Sequence, residues 1–305
     1  MSTIKKSIAV TGATGFIGRS VVRQLIAKKY DVQALSRSDR AVSGARFIIG
    51  DLGNKDALQR LATGTDTFIH IAGLTKARTL TKLLDVNAQG ALNAAQAAKA
   101  ASVRRFILVS SLAAREPHLS GYAKSKRAGE EAVQDYLSGS GVELIIVRPP
   151  AIIGPGDEAT APMLNILKRG FLPVPAGKAT KNGRMSFVYV DDMARYLIEQ
   201  IEVDAAQGVL TPHGETPQSS WQDLADSAAE ALSKPVRVIP IPPIILFIAA
   251  FISQTTSALF FKSGHFNTGK VRELLHSDWT GERKIENSYP LVQACLLYTS
   301  PSPRD

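Results

Sequence analysis

The sequence predicts an α/β protein, with a doubly wound parallel sheet followed by a smaller C-terminal lobe. Three observations carry this. Through residue 150, short β-branched runs alternate with longer stretches rich in Ala, Leu, Lys and Gln. The apolar runs are continuous, as expected of strands covered on both faces. A glycine-rich turn joins the first apolar run to the first helical stretch.

Strands are expected at Ser7–Thr11, Asp31–Leu35, Arg46–Ile49, Thr67–Ile71, Phe106–Ser110 and Leu144–Val147. Helices are expected at Phe16–Lys29, Lys55–Ala62, Thr79–Ala101 and Tyr122–Ser138. Right-handed crossovers between parallel strands wind such helices onto both faces of a Rossmann-like sheet. Past Arg148 the character changes. Pro and Gly punctuate PPAIIGPGD, FLPVPAGK, TPHGETPQ and IPIPP, the mark of a loop-rich segment. The expected division is a dinucleotide-binding domain at 1–150, to which 184–212 returns, and a substrate lobe at 151–294. A helix at Trp221–Leu232 belongs to that lobe.

The chain has 305 residues, 45% hydrophobic and 21% charged, ordinary for a soluble enzyme, and a formal net charge of +9. The bases are scattered, without interleaved aromatics, which argues for a phosphate-bearing small ligand and against nucleic acid. Cys295 is the one cysteine. It lies in CLLYTSPSPRD, Cys295–Asp305, which matches residue for residue the translation of a sequencing-library transposon adapter. That tail is expected to stand outside the folded unit. The rest then offers no disulfide or cysteine-ligated metal. The five His residues show no HxxxH or HxH spacing, so no metal site is expected. MSTIKKSIAV runs straight into a strand, leaving no room for a signal peptide, and a cytoplasmic protein is expected. The apolar stretch 241–261 is broken by Pro242, Pro243 and Ser253–Ser257. It reads as lobe helices or a peripheral membrane contact rather than a span. A homodimer is compatible with all of this.

Gly12, Gly15 and Gly18 follow the first strand and open the first helix. Gly12 suits the tight turn, Gly15 the close approach of backbone to a pyrophosphate, and Gly18 helix-to-sheet packing. The helix N-terminus adds unpaired N–H groups for the phosphates. The GxxGxxG spacing resembles that of the short-chain dehydrogenase/reductase superfamily, in its extended or atypical, epimerase/dehydratase-like branch. The likeness continues through Asp51-Leu52, Ala72-Gly73, Asn87 in VNAQGALN, Arg148-Pro149, GPGD at Gly154–Asp157 and FVYVDD at Phe187–Asp192. It implies that Gly12, Thr14, Gly15, Phe16, Ile17, Gly18, Asp51, Leu52, Ala72, Gly73, Asn87 and Pro149 surround a nicotinamide dinucleotide, with Asp51-Leu52 against the adenine. After the second strand stand Ser36, Arg37 and Ser38. A carboxylate there binds a ribose 2′-hydroxyl and a guanidinium suits a 2′-phosphate, so NADP is preferred over NAD.

Tyr122 and Lys126 fall four apart on a helix, hence on one face. A phenol of pKa near 10 works as an acid/base at neutral pH only beside a stabilising cation. The resemblance makes Tyr122 the acid/base and Lys126 both that cation and a ribose ligand. It also makes a strand-end serine the substrate's hydrogen-bond donor, Ser111 first and Ser110 second. Leu112 and Ala113 offer no acid for a dehydratase, and Glu116 is too far along. Arg184 lies near the place of the diphosphate-binding Arg of sugar-nucleotide epimerases. The reading is an NAD(P)-dependent oxidoreductase acting on an alcohol or carbonyl. Its alternatives are a nucleotide-sugar epimerase with retained NAD and a non-catalytic subunit resembling the complex I accessory subunit. Substrate identity stays open.

Overall fold

The computed structural model describes residues 6–38, 44–157, 161–203, 208–259 and 266–291; the tail Cys295–Asp305 lies outside them. The order is β1 (Ser7–Thr11), α1 (Phe16–Ala27), β2 (Asp31–Ser36), β3 (Arg46–Ile49), α2 (Lys55–Ala62), β4 (Thr67–His70), α3 (Leu80–Leu84), α4 (Gly90–Ala100), β5 (Arg105–Val109), α5 (Gly121–Leu137) and β6 (Glu143–Val147). Then follow β7 (Ala151–Ile153), α6 (Ala161–Leu167), β8 (Phe171–Pro175), α7 (Lys178–Asn182), β9 (Arg184–Met185), β10 (Phe187–Tyr189), α8 (Val190–Glu199), β11 (Val209–Leu210), β12 (Pro212–His213), α9 (Trp221–Leu232), β13 (Arg237–Ile241), α10 (Pro243–Leu259), α11 (Thr268–Leu275), β14 (Asp278–Trp279) and β15 (Arg283–Lys284).

Period-two alternation explains how one sheet fills two cores. Along β5, Ile107 and Val109 join the core under α1 and α8, while Phe106 and Leu108 join the core under α2, α4 and α5. Seven parallel strands result, in the order β11-β6-β5-β4-β1-β2-β3. This is the doubly wound, Rossmann-like sheet that the alternating runs predict. The reversal of strand order at β1 and β4 opens a crevice at the strands' C-terminal ends. A third core, around Leu172, Val174, Phe187, Trp221 and Leu224, holds the elements after β6 together.

Element bounds move by a residue or two from those expected, with one substantive difference. The single helix expected over Thr79–Ala101 is divided by a π-helical turn at Asp85–Gln89. Its cause is tertiary. The buried Asn87 side chain accepts from Leu74 N at 2.7 Å and donates to Leu74 O and Ser125 Oγ, both at 2.8 Å. Such single-turn π segments recur where a helix is held for function.

Arg105 is fully buried, yet it is paired. It donates to the Gln200, Ile201 and Val203 carbonyls and to Glu143, fastening the end of α8 to the sheet. α8 in turn packs on α1. There Asp191 accepts from Ser20 and, at 2.6 Å, from Arg23. The helix that opens the crevice is therefore held by a long-range contact. Among the described residues, no helix is long and apolar enough to cross a membrane.

Candidate active site

The turn from β1 into α1 has the geometry its glycines require. Gly12 has φ +74°, and a Cβ on it would come within 2.6 Å of Ala72 N. A Cβ on Gly18 would meet the Gly12 carbonyl oxygen at 2.0 Å, so the helix sits directly on the turn. Gly15 caps α1 without a side-chain hydrogen bond, and no acidic residue stands in the first turn. The first N–H groups of α1 therefore meet neither a capping oxygen nor a repelling carboxylate, a surrounding that fits a pyrophosphate. Thr14 and Gly15 are exposed there, and Phe16 and Ile17 half-buried.

At the other side of the crevice β5 ends beside α5. Ser120 caps α5 by accepting from Ala123 N at 3.0 Å, which sets Tyr122 in the first turn. Ser111 lies near enough to the Tyr122 phenol to act on its proton affinity, favouring loss of the proton. Ser111 itself caps a short 3₁₀ turn at Leu112–Arg115, accepting from Ala113 N at 3.2 Å. Of the two candidate serines the structure thus brings Ser111 to the phenol. Ser110 Oγ is buried, with no hydrogen-bond partner among the described residues.

Lys126 departs from the expected pairing. Its ammonium donates to the Val109 carbonyl at 2.8 Å and reaches under Gly73, where an added Cβ would lie 3.7 Å away. Among the described residues no hydrogen bond joins it to Tyr122. Both residues lie on α5 as the spacing predicts, but a lysine one turn further on meets the end of β5 before the phenol. Burial pulls the Lys126 pKa down to about 8, against the opposing charge of Glu130. Tyr122 is pushed up to about 12 by burial, with the Glu273 carboxylate adding to the rise and Ser111 opposing it. At neutral pH the phenol is protonated.

Two neighbours of this group are not among the sequence candidates. His70, at the end of β4, shares a 2.9 Å hydrogen bond with Thr11 through Nδ1. Burial and the Lys126 charge drop its pKa to about 3, which makes it a neutral imidazole. Its Nε2 has no partner among the described residues. Glu273, on α11, binds Ser120 across 153 residues of chain and bonds Lys270 at 3.1 Å. Nothing local in the sequence links α11 to α5, whereas a histidine ending a strand beside the glycine turn was a signal within reach.

The remaining candidates divide. Arg37 is exposed just past β2. Asp51 Oδ1 accepts from Gly53 N at 2.9 Å and Asn54 N at 3.1 Å, so that oxygen holds its own turn. Leu52 lies against Gly90, where a Cβ would approach it to 2.7 Å. Ala72 closes over Gly12, and Asn87 faces Gly73, its Oδ1 3.0 Å from a Cβ placed there. Pro149 accepts from Leu112 N at 2.9 Å, fixing the 3₁₀ turn, while Arg148 pairs with the buried Glu130 at 2.5 Å. Arg184 is exposed on β9, and its charge acts on Asp223 of α9. Among the described residues no group of His, Cys, Asp and Glu is placed to hold a metal ion.

Residues 8–208 match the family model described as NAD dependent epimerase/dehydratase family. The chain is 41% identical over 279 residues to the ceramide reductase of Caulobacter vibrioides, covering 90% of this chain and 85% of that protein. It is 28% identical over 261 residues to the UDP-glucose 4-epimerase of Vibrio cholerae, covering 78% and 79%. Among solved structures, gox2253 has the same fold, with a TM-score of 0.75 at 20% identity over 97% of each chain.

Proposed function

This chain belongs to the NAD dependent epimerase/dehydratase family, and we propose that within it the protein is a nicotinamide-dependent ketoreductase acting on a lipid carbonyl. The observation that carries the reading is the Tyr122 phenol, kept protonated by burial and near Ser111 where β5 ends beside α5. A phenol kept acidic-side at neutral pH suits proton donation to a carbonyl under reduction. The similarity to a ceramide reductase supports the substrate class.

When bound, the nicotinamide supplies a hydride. The cradle would be Gly12, Gly15 and Gly18 with the first turn of α1, closed by Ala72 and Gly73. Tyr122 donates its proton to the substrate oxygen as that oxygen gains charge. Ser111 donates a hydrogen bond to the same oxygen and holds it at the phenol. The oxygen leaves as an alcohol, and solvent returns the proton to the phenolate. Lys126, cationic below about pH 8 and held on the Val109 carbonyl rather than on the phenol, would lend its charge to the site and hold the ribose. Arg37, exposed just past β2, would pair with a 2′-phosphate, and NADPH is the proposed reductant.

The epimerase reading draws less support. Arg184, its diphosphate candidate, acts on Asp223 at the edge of the second lobe. The experiment is turnover with NADPH and NADH on a keto-ceramide, simple ketones and UDP-sugars. Reduction of the lipid ketone ahead of the rest is expected. Interconversion of UDP-sugars with no reduction of any ketone contradicts the reading.

A further inference from the structure

From Pro243 to Ile252 α10 is apolar all round, and one side of this part faces solvent. Leu246, Phe247 and Ala250 turn inward, with Ala250 fully buried. On the opposite side Ile244 is 65% exposed, Ile245 52%, Ile248 53%, Phe251 63% and Ile252 55%. At 3.6 residues per turn these five occupy an arc of about 120° over about two turns. Thr255 falls on the same arc, but its hydroxyl turns back to the Phe251 and Ile252 carbonyls at 3.0 and 2.9 Å. The face therefore presents hydrocarbon without a free hydrogen-bonding group. Phe171 and Ile239, on the strand pair that leads into α10, are exposed as well.

The charges nearest it along the chain have one sign. Between Glu230 and Glu273 the chain carries no Asp or Glu. Lys234 and Arg237 stand exposed before α10, and Lys270 and Arg272 after it. An apolar helix face flanked only by bases is the pattern of an interfacial helix lying in an anionic bilayer surface. A protein interface would call for aromatic and polar anchors, and four of the five exposed side chains here are isoleucines. α10 also packs on α11, which carries Glu273, the carboxylate whose charge reaches Tyr122.

We propose that α10 is a membrane-docking helix, whose exposed isoleucine face enters the headgroup–acyl boundary of an anionic lipid surface while the flanking bases hold the headgroups. Docked this way, the protein would take its substrate from the bilayer. The docking stands on α10 alone and does not rest on the ketoreductase reading, because it is read without turnover.

The test is flotation of the full chain with vesicles of phosphatidylcholine, with and without phosphatidylglycerol. The wild type is expected to float, and to float better when phosphatidylglycerol is present. Changing Ile244→Gln, Ile248→Gln and Phe251→Gln together should weaken vesicle binding by at least about tenfold. Melting temperature and NADPH binding of that variant should match the wild type, since the three side chains are exposed. Lys234→Glu with Arg237→Glu should remove the preference for phosphatidylglycerol. A wild type that stays off both vesicles overturns the proposal, as does a triple variant that floats equally well. So does a wild-type dimer that the triple variant splits while neither binds vesicles, which would assign the face to a second copy.

Discussion

The helices α5 and α10 are both seventeen residues long, and each carries the wrong kind of side chain on one face. α5 turns Lys126 and Glu130 inward. Each has its partner, the Val109 carbonyl for the lysine and Arg148 for the glutamate. α10 does the reverse and turns isoleucines outward to solvent. A buried charge is tolerated only when it is satisfied, and it collects where chemistry needs it. An exposed apolar stripe is tolerated where something other than water is to cover it. The departures from ordinary amphipathicity therefore separate the helix proposed to react from the helix proposed to dock better than composition does.

The comparison breaks first at Tyr122. If α5 exists to present this phenol, Tyr122→Phe should lower turnover by roughly 10²–10⁴-fold, the usual worth of a positioned acid/base. Titration of NADPH against the same variant should show nearly unchanged binding. Wild-type turnover in that variant would leave α5 as scaffold alone.

A smaller effect is expected at the far edge of the crevice. A charge-assisted contact to phosphate contributes about 1.5–3 kcal/mol. Arg37→Ala should thus weaken NADPH binding by about tenfold to a hundredfold and leave NADH nearly as it was. Equal losses would give Arg37 another role.

How far these residues can be read from sequence depends on how local their signals are. Gly12, Gly15 and Gly18 are legible because turn, approach and packing constrain consecutive positions. Tyr122 and Lys126 are legible because four residues make one helix turn. The order Ser111 before Ser110 rested on the resemblance alone, since its local cause is a 3₁₀ turn that Pro149 fixes from just past β6. The π turn at Asn87 was hidden for the same reason, its cause being Leu74 and Ser125. Glu273 reaches Ser120 from the far end of the chain, and no window of sequence contains both. For α10 the apolarity was plain, but only packing on α11 decides which side stays bare.

The smallest effect sharpens the account of Lys126. Its pKa near 8 lies far below that of Tyr122 near 12, so rising pH first removes the lysine's charge while the phenol keeps its proton. Reduction should be level below about pH 8 and fall by about tenfold per unit above it. A limb that begins only near pH 12 would remove Lys126 from catalysis.

Hydride destination tests the central claim most directly. With NADPH deuterated at the transferring C4 position and a keto-ceramide, the alcohol product should be one mass unit heavier. The deuterium should sit on the carbinol carbon, and NADP should accumulate in equal amount. Product formed without deuterium, or sugar-nucleotide interconversion with the label kept on bound cofactor, would contradict the ketoreductase account.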